Sequence, residues 1–335
     1  MRRPAALLAA AVAASGALVA PADADPLRSL AGAMPSAGPR AGDYGAVLAA
    51  MDALGARATA LSLAWDLLEA DGAYAADPDW PAIAEAVYPP RNLSLHLTFA
   101  VIDTGTDRRP ADLRALAWDD PRVARRFVAF AEAALARMPS TDLAAIAVGN
   151  EVDAHLRGRD WAAFGRFLDA VTPRLRALRP GVPVTTTLTW DGLRASAAAR
   201  RLSARGDALS VTWYPAGPGF DFGAPVDADA ALDAMARVAA GRPIHLAEVG
   251  APSDGCGSTP ERQAETLARI DAAARARSEV ALIQFVWSHD VSAAAVAAEA
   301  AFHGIADPCF ARFLGSLGLR DAADRAKPAF DALRR

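Results

Sequence analysis

Apolar runs of strand length alternate along this chain with stretches whose apolar residues recur at helical spacing. The strand-like runs fall at 57–64, 93–101, 144–151, 182–189, 208–212, 243–249 and 280–286. A short eighth one lies near 29–34, inside a segment (25–42) rich in Pro, Gly and Ala. Between them the pattern predicts helices over 44–55, 80–87, 121–138, 160–178, 193–204, 227–240 and 260–277. A last helix over 310–333 is interrupted near Gly315 to Gly318 and again by Pro328. The helix after Asp120 is the clearest, with Val123, Phe127, Phe130, Ala131 and Ala134 on one face.

The strands read as continuous apolar runs rather than as apolar/polar alternation, as in parallel sheets covered on both faces. Strand–helix alternation itself implies a parallel sheet. Eight such units in 335 residues suit a single-domain α/β fold, a closed (β/α)₈ TIM barrel occupying 25–335. No G-x-G-x-x-G follows any strand, which removes the main support for a dinucleotide fold. A composition of 53% hydrophobic and 22% charged residues fits a well-buried core. The net charge of -4 gives no basic footprint for nucleic acid or anionic lipid.

What ends the strands carries the chemistry. They finish in Trp65-Asp66, Asp103, Asn150-Glu151, Trp190-Asp191, Trp213-Tyr214, Glu248 and Trp287. Strand ends of such a barrel form the rim where active sites sit. Aromatic planes with hydrogen-bonding groups between them suit a sugar, whose ring face is apolar and whose edge is polar. Taken singly, each has a plainer reading: a Trp plugging the barrel top, or an Asp capping the next helix. Two strand-end glutamates brought together by a closed barrel are, however, what glycoside hydrolysis needs. His245 stands three positions before Glu248, so regular alternation puts them on opposite faces. It reads with His96 as a packed histidine.

The motifs Gly149-Asn150-Glu151 and Glu248-Val249-Gly250-x-Pro252-Ser253 resemble those of the clan of glycoside hydrolases whose barrels carry catalytic glutamates at the ends of strands four and seven. Phe302-His303-Gly304-Ile305 and Lys327-Pro328-Ala329 are similar to the clan's usual ending. Glu-x-Gly-x-Pro-Ser is similar to the β-1,3-glucanases, and other features to endo-β-1,4-galactanases and glycosyl-hydrolase-like exported proteins. The resemblance implies a retaining hydrolase of β-linked polysaccharides or oligosaccharides that needs no cofactor. It makes Glu151 the acid/base and Glu248 the nucleophile. Asn150 would hold the sugar 2-hydroxyl, Tyr214 would donate to Glu248, and Trp287 would floor the sugar site. Trp65, Asp66, Asp103 and Trp190 are further candidate substrate contacts. The sequence departs from the clan at Ala251, where many members carry an aromatic residue. It also lacks an evident arginine or histidine at the early strand ends.

Two other functions stay open at this stage. One is a non-catalytic carbohydrate-binding barrel. The other is a metal-dependent hydrolase using Glu151, Asp153, His155, His289 and Asp290, although no His-x-His ends a strand and five histidines is a sparse supply. Arg2 and Arg3, an apolar stretch from Ala5 to Val19 and Ala22-Asp23-Ala24 predict a signal peptide over 1–24 and export to the periplasm or outside the cell. The apolar stretch is shorter than the roughly 20 residues of a spanning helix, so no membrane association is expected after cleavage. In an oxidising compartment Cys256 and Cys309, on neighbouring rim loops, are expected to form a disulfide; the alternative is two unpaired thiols. A monomer is expected, with carbohydrate as its partner.

Overall fold

The computed structural model describes residues 25–31 and 44–334; the expected signal peptide lies outside them. Eight parallel strands close into a ring: β1 (Leu27–Ala31), β2 (Ala58–Ala64), β3 (Ser94–Asp103), β4 (Leu143–Asn150), β5 (Val184–Thr185 and Thr187–Thr189), β6 (Leu209–Trp213), β7 (Ile244–Val249) and β8 (Val280–Val286). Each pairs with the next, and β8 returns to β1 with Ser29 opposite Gln284. β5 is interrupted at Thr186, its first piece pairing β4 and its second β6. The fold is the (β/α)₈ barrel that strand–helix alternation implies. No described helix is long and apolar enough to cross a membrane.

Helices cover the outer face of the ring. On the outward side of β3, Phe99 meets Phe127 and Phe130 of the helix Pro121–Ala136 edge-on, with centroids 5.7 and 5.6 Å apart. That helix begins where the sequence implies, Asp120 accepting from the Arg122 amide ahead of Pro121 at the first turn. The predicted helix 193–204 is instead two, Trp190–Ala195 and Ala197–Ser203, because Thr189 and Ser196 each cap a helix start of their own. A further helix, Ala293–His303, runs through a nearly pure alanine stretch. High helix propensity forms it, while the absence of any apolar period hides it from pattern reading.

The register of β7 corrects one expectation. Val211 pairs Leu246 but Thr212 pairs Glu248, so Ala247 is an extra residue and the alternation flips there. His245 and Glu248 therefore face the same side. His245 and His96 lie on opposite sides of the ring and are buried inside it. Burial pushes His96 down to about 4, and burial with the His96 charge pushes His245 down to about 3, so both imidazoles are neutral at pH 7.

Two ties hold the C-terminal segment against the rim. Cys256 and Cys309 are bonded, their Cα atoms 5.5 Å apart. The buried Lys327 ammonium donates to Asp290 Oδ1 at 2.6 Å and to Ser253 Oγ at 2.8 Å, joining the loops after β7 and β8.

Candidate active site

β4 delivers its polar end by a sharp turn. Gly149 has φ +85°, and a Cβ on it would lie 2.4 Å from Val152 Cγ1. Glu151 follows in the left-handed region at φ 46°, a conformation that costs a non-glycine residue on the order of 1 kcal/mol. The Glu151 carboxylate is thereby turned inward, where it accepts from Thr212 Oγ1 at 2.6 Å and Thr104 Oγ1 at 2.9 Å. Thr212 is on β6 and Thr104 follows β3, so three strands fix this one carboxylate.

Glu248 lies beside it. The Tyr214 hydroxyl donates to its Oε2 at 2.6 Å, and Asn150 Nδ2 stands 3.4 Å from its Oε1. The same amide is 3.4 Å from Asp103 Oδ1. Gly250 makes room for the tyrosine: a Cβ there would lie 2.8 Å from Tyr214 Cε1. Phe313 meets the Tyr214 ring edge-on, 5.2 Å between centroids.

The electrostatics follow from burial. Desolvation raises the Glu151 carboxyl, against the two threonine hydroxyls; Asp153 and Asp103 raise it further. Desolvation and the neighbouring Glu151 raise Glu248, partly offset by the Tyr214 and Asn150 donors. Both carboxyls are thus raised in a poorly solvated site, and the charge of Glu151 opposes the ionisation of Glu248. Tyr214 is itself raised by burial and by Glu248, so it stays a phenol and a donor. Burial also raises Asp103, with Asn150 and Arg108 opposing.

Glu151, Glu248, Asn150, Tyr214 and Asp103 thus converge, and Trp287, half-buried after a cis peptide bond to Val286, stands at the end of β8. Three of the expected contacts do not join them. Trp65 is fully buried against Phe127 and Phe130, its indole donating to Glu69 at 2.6 Å. Trp190 is 6% exposed. Both continue the outward set of their strands (Leu61, Leu63, Trp65; Leu188, Trp190), so each packs under the helices rather than over the mouth. Trp213, after Leu209 and Val211, does the same at 5% exposure. Asp66 is held by Arg108 at 3.0 Å and Arg114 at 2.9 Å, a structural ion cluster.

Sequence reasoning missed Thr104 and Thr212. The inward parity of Ser210 and Thr212 on an otherwise apolar β6 was the available signal for the second. Arg108, which follows β3, pairs with Asp66 and lies near enough to Asp103 to oppose its raised pKa. Among the described residues no three His, Cys, Asp or Glu side chains converge to hold a metal ion. The residues of the metal reading are engaged separately: Asp153 with Thr189, His155 with Gly105 O, His289 with Asp324 and Asp290 with Lys327.

No protein-family profile matches the chain, and no curated protein matches it in sequence. Solved structures do match in shape. A GH5_18 protein of Streptomyces cattleya in complex with GlcNAc is 21% identical, with TM-score 0.69, covering 92% of this chain and 79% of that one. The exo-β-1,4-mannosidase Op5Man5 of Opitutaceae bacterium strain TAV5 is 18% identical, with TM-score 0.67; the match covers 92% of this chain and 58% of the mannosidase. A fungal β-1,4-galactanase is 17% identical, with TM-score 0.65, covering 92% of this chain and 99% of its own. At these identities the likeness is one of architecture: the chain has the (β/α)₈ fold that these glycosidase structures share.

Proposed function

We propose that the protein is a retaining glycoside hydrolase of β-linked oligosaccharides or polysaccharides. The observation that carries this reading is the convergence of Glu151 and Glu248 from β4 and β7 on one mouth, each with its own hydrogen-bond donors. Glu248, with a phenol donor at 2.6 Å, is equipped to be the charged partner. Glu151, raised by burial and by the nearby Asp153 and Asp103, is the one to carry the proton.

In the first step a Glu248 oxygen bonds to the anomeric carbon while the glycosidic C–O bond breaks. Glu151 gives its proton to the departing oxygen. In the second, Glu151 takes a proton from water, whose oxygen bonds to the anomeric carbon, and the ester to Glu248 breaks. Asn150, within reach of Glu248, would hold the sugar 2-hydroxyl, and Trp287 would lie against the ring. Among structural neighbours, one GH5_18 variant was solved with Manβ1-4GlcNAc and others are a β-1,4-mannosidase and β-1,4-galactanases. β-1,4-linked hexosides are therefore the first substrates to offer.

The test is hydrolysis of a panel of aryl β-glycosides and β-1,4-linked glycans, beside Glu151→Gln and Glu248→Gln. Loss of turnover in both variants, with the anomeric configuration retained by NMR, is expected. Turnover unchanged in either variant refutes the site. Export belongs to the same reading, supported by the basic start, the apolar stretch, Ala22-Asp23-Ala24 and the Cys256–Cys309 bond. Sequencing the N-terminus of the matured protein should find Asp25.

A further inference from the structure

The helix Ala293–His303 wears its polarity inside out. Its solvent side is Ala293, Ala294, Ala297, Ala298, Ala301 and Phe302, all exposed. Its covered stripe is Ala295, Val296, Glu299, Ala300 and His303. The only two ionisable residues of the helix thus sit on the face turned toward the protein. An ordinary surface helix puts such residues on its outer face.

The position of that stripe identifies what it faces. Val291 and Ala295 form a small buried cluster on which Val296 and Trp287 pack. Glu299 follows Val296 by three residues and His303 follows Glu299 by four, so both lie on the stripe that begins against Trp287. The same stripe is also packed along its length by the helix that follows. A Cβ on Gly315 would come within 3.3 Å of Val296 Cγ2, and His303 meets Phe310 edge-on at 5.6 Å. Burial raises the Glu299 carboxyl, the His303 charge opposes, and Asp103, at the end of β3, raises it a little further; His303 bears in turn on Asp103. Glu299 and His303 are 3.8 Å apart, too far for a hydrogen bond between them, with side chains 29% and 20% exposed. The Glu299 carboxylate is therefore partly desolvated, ion-paired with His303 rather than hydrogen-bonded to it, and still able to accept.

We propose that Glu299 is a substrate-contacting residue that accepts hydrogen bonds from hydroxyls of the sugar ring lying against Trp287, so that this helix helps to decide which sugar the site takes. The proposal rests on the glycosidase reading for the location of the sugar, but binding alone tests it. A charged acceptor holding a sugar hydroxyl is worth about 1.5–3 kcal/mol, roughly ten- to a hundredfold in affinity.

The experiment titrates the full-length Glu248→Gln protein calorimetrically with β-1,4-mannobiose and β-1,4-galactobiose. The same titration is then repeated with Glu299→Ala, Glu299→Gln or Ala298→Ser added, and thermal midpoints are measured alongside. The expected result is affinity at least about tenfold weaker in Glu299→Ala. The Gln variant should recover part of that loss, Ala298→Ser should change nothing, and the midpoints should stay together. Affinity within twofold of the parent overturns the proposal, as does the failure of the parent to bind either disaccharide. A fall in midpoint shared by both Glu299 variants also overturns it, because Glu299 then holds the helix rather than the sugar. Binding weakened by Glu299→Ala, in a protein whose wild type hydrolyses nothing, keeps this proposal and removes the catalytic one.

Discussion

Removing one oxygen from Tyr214 tests how the two carboxyls divide their work. The phenol donates to Glu248 Oε2 at 2.6 Å, and Tyr214→Phe deletes that donor while keeping the ring against Gly250 and Phe313. A hydrogen bond to a charged acceptor is worth about 1.5–3 kcal/mol, and 1.36 kcal/mol corresponds to one pH unit. On the proposed mechanism the working pair carries one proton, with Glu151 neutral and Glu248 charged. Burial and the Glu151 charge push Glu248 up, and the Tyr214 and Asn150 donors oppose that shift. The donor favours charged Glu248, so its loss makes a second proton bind at higher pH. The acid limb of kcat/KM therefore moves up by about 1–2 pH units. Loss of the Glu151 proton leaves Glu248 charged before and after, so the alkaline limb stays in place. The assay is kcat/KM from pH 4 to 9 on whichever aryl β-glycoside the wild type cleaves, with circular dichroism to confirm folding. An acid limb unmoved in Tyr214→Phe, with kcat/KM within twofold of wild type, would refute the assignment of Tyr214 as the group that keeps Glu248 ionised.

The other outcomes concern what holds the site in place. Trp65→Ala should cost about 3–5 kcal/mol of stability, read from urea unfolding, because it empties a buried aromatic stack. Trp287→Ala should leave that transition nearly unchanged and lower kcat/KM about ten- to a hundredfold through lost apolar contact with the sugar; equal effects of the two would erase the distinction drawn between them. Gly149→Ala should destabilise by about 2–5 kcal/mol, combining a left-handed backbone with a methyl 2.4 Å from Val152, visible as a drop in thermal midpoint. Reduction of Cys256–Cys309, which are 53 residues apart in sequence, should cost about 4 kcal/mol on the loop-entropy relation, checked by unfolding with and without dithiothreitol.

The barrel was legible because its strands are apolar on both faces and long enough to stand out between helices with a clear period. The placement of Glu151 and Glu248 at strand ends was legible because each breaks off an apolar run. The tryptophans were misread for a reason visible in the same letters. Leu61-x-Leu63-x-Trp65 and Leu209-x-Val211-x-Trp213 carry the outward period of two straight through the strand end, so those rings belong to the layer under the helices. The opposite error befell His245: counting by twos from Glu248 crosses Ala247, and a bulge leaves no mark in sequence. The helix carrying Glu299 was hidden because alanine has propensity without pattern.

The bulge at Ala247 and the left-handed turn at Glu151 are two solutions to one geometric problem. A regular strand sends side chains alternately inward and outward, and its last inward residue still points across the barrel rather than up at the mouth. β4 solves this with Gly149 and a left-handed Glu151, and β7 with one extra residue that restores inward parity just at Glu248. β6 needs neither, because its regular inward residue, Thr212, serves as a donor to Glu151 and the next but one, Tyr214, as a donor to Glu248. The two strands that carry the carboxylates each end irregularly, while β6 between them supplies one donor to each. Such placement is what a site must have when two acids are held close and kept different, since the donors reach both from one rigid element.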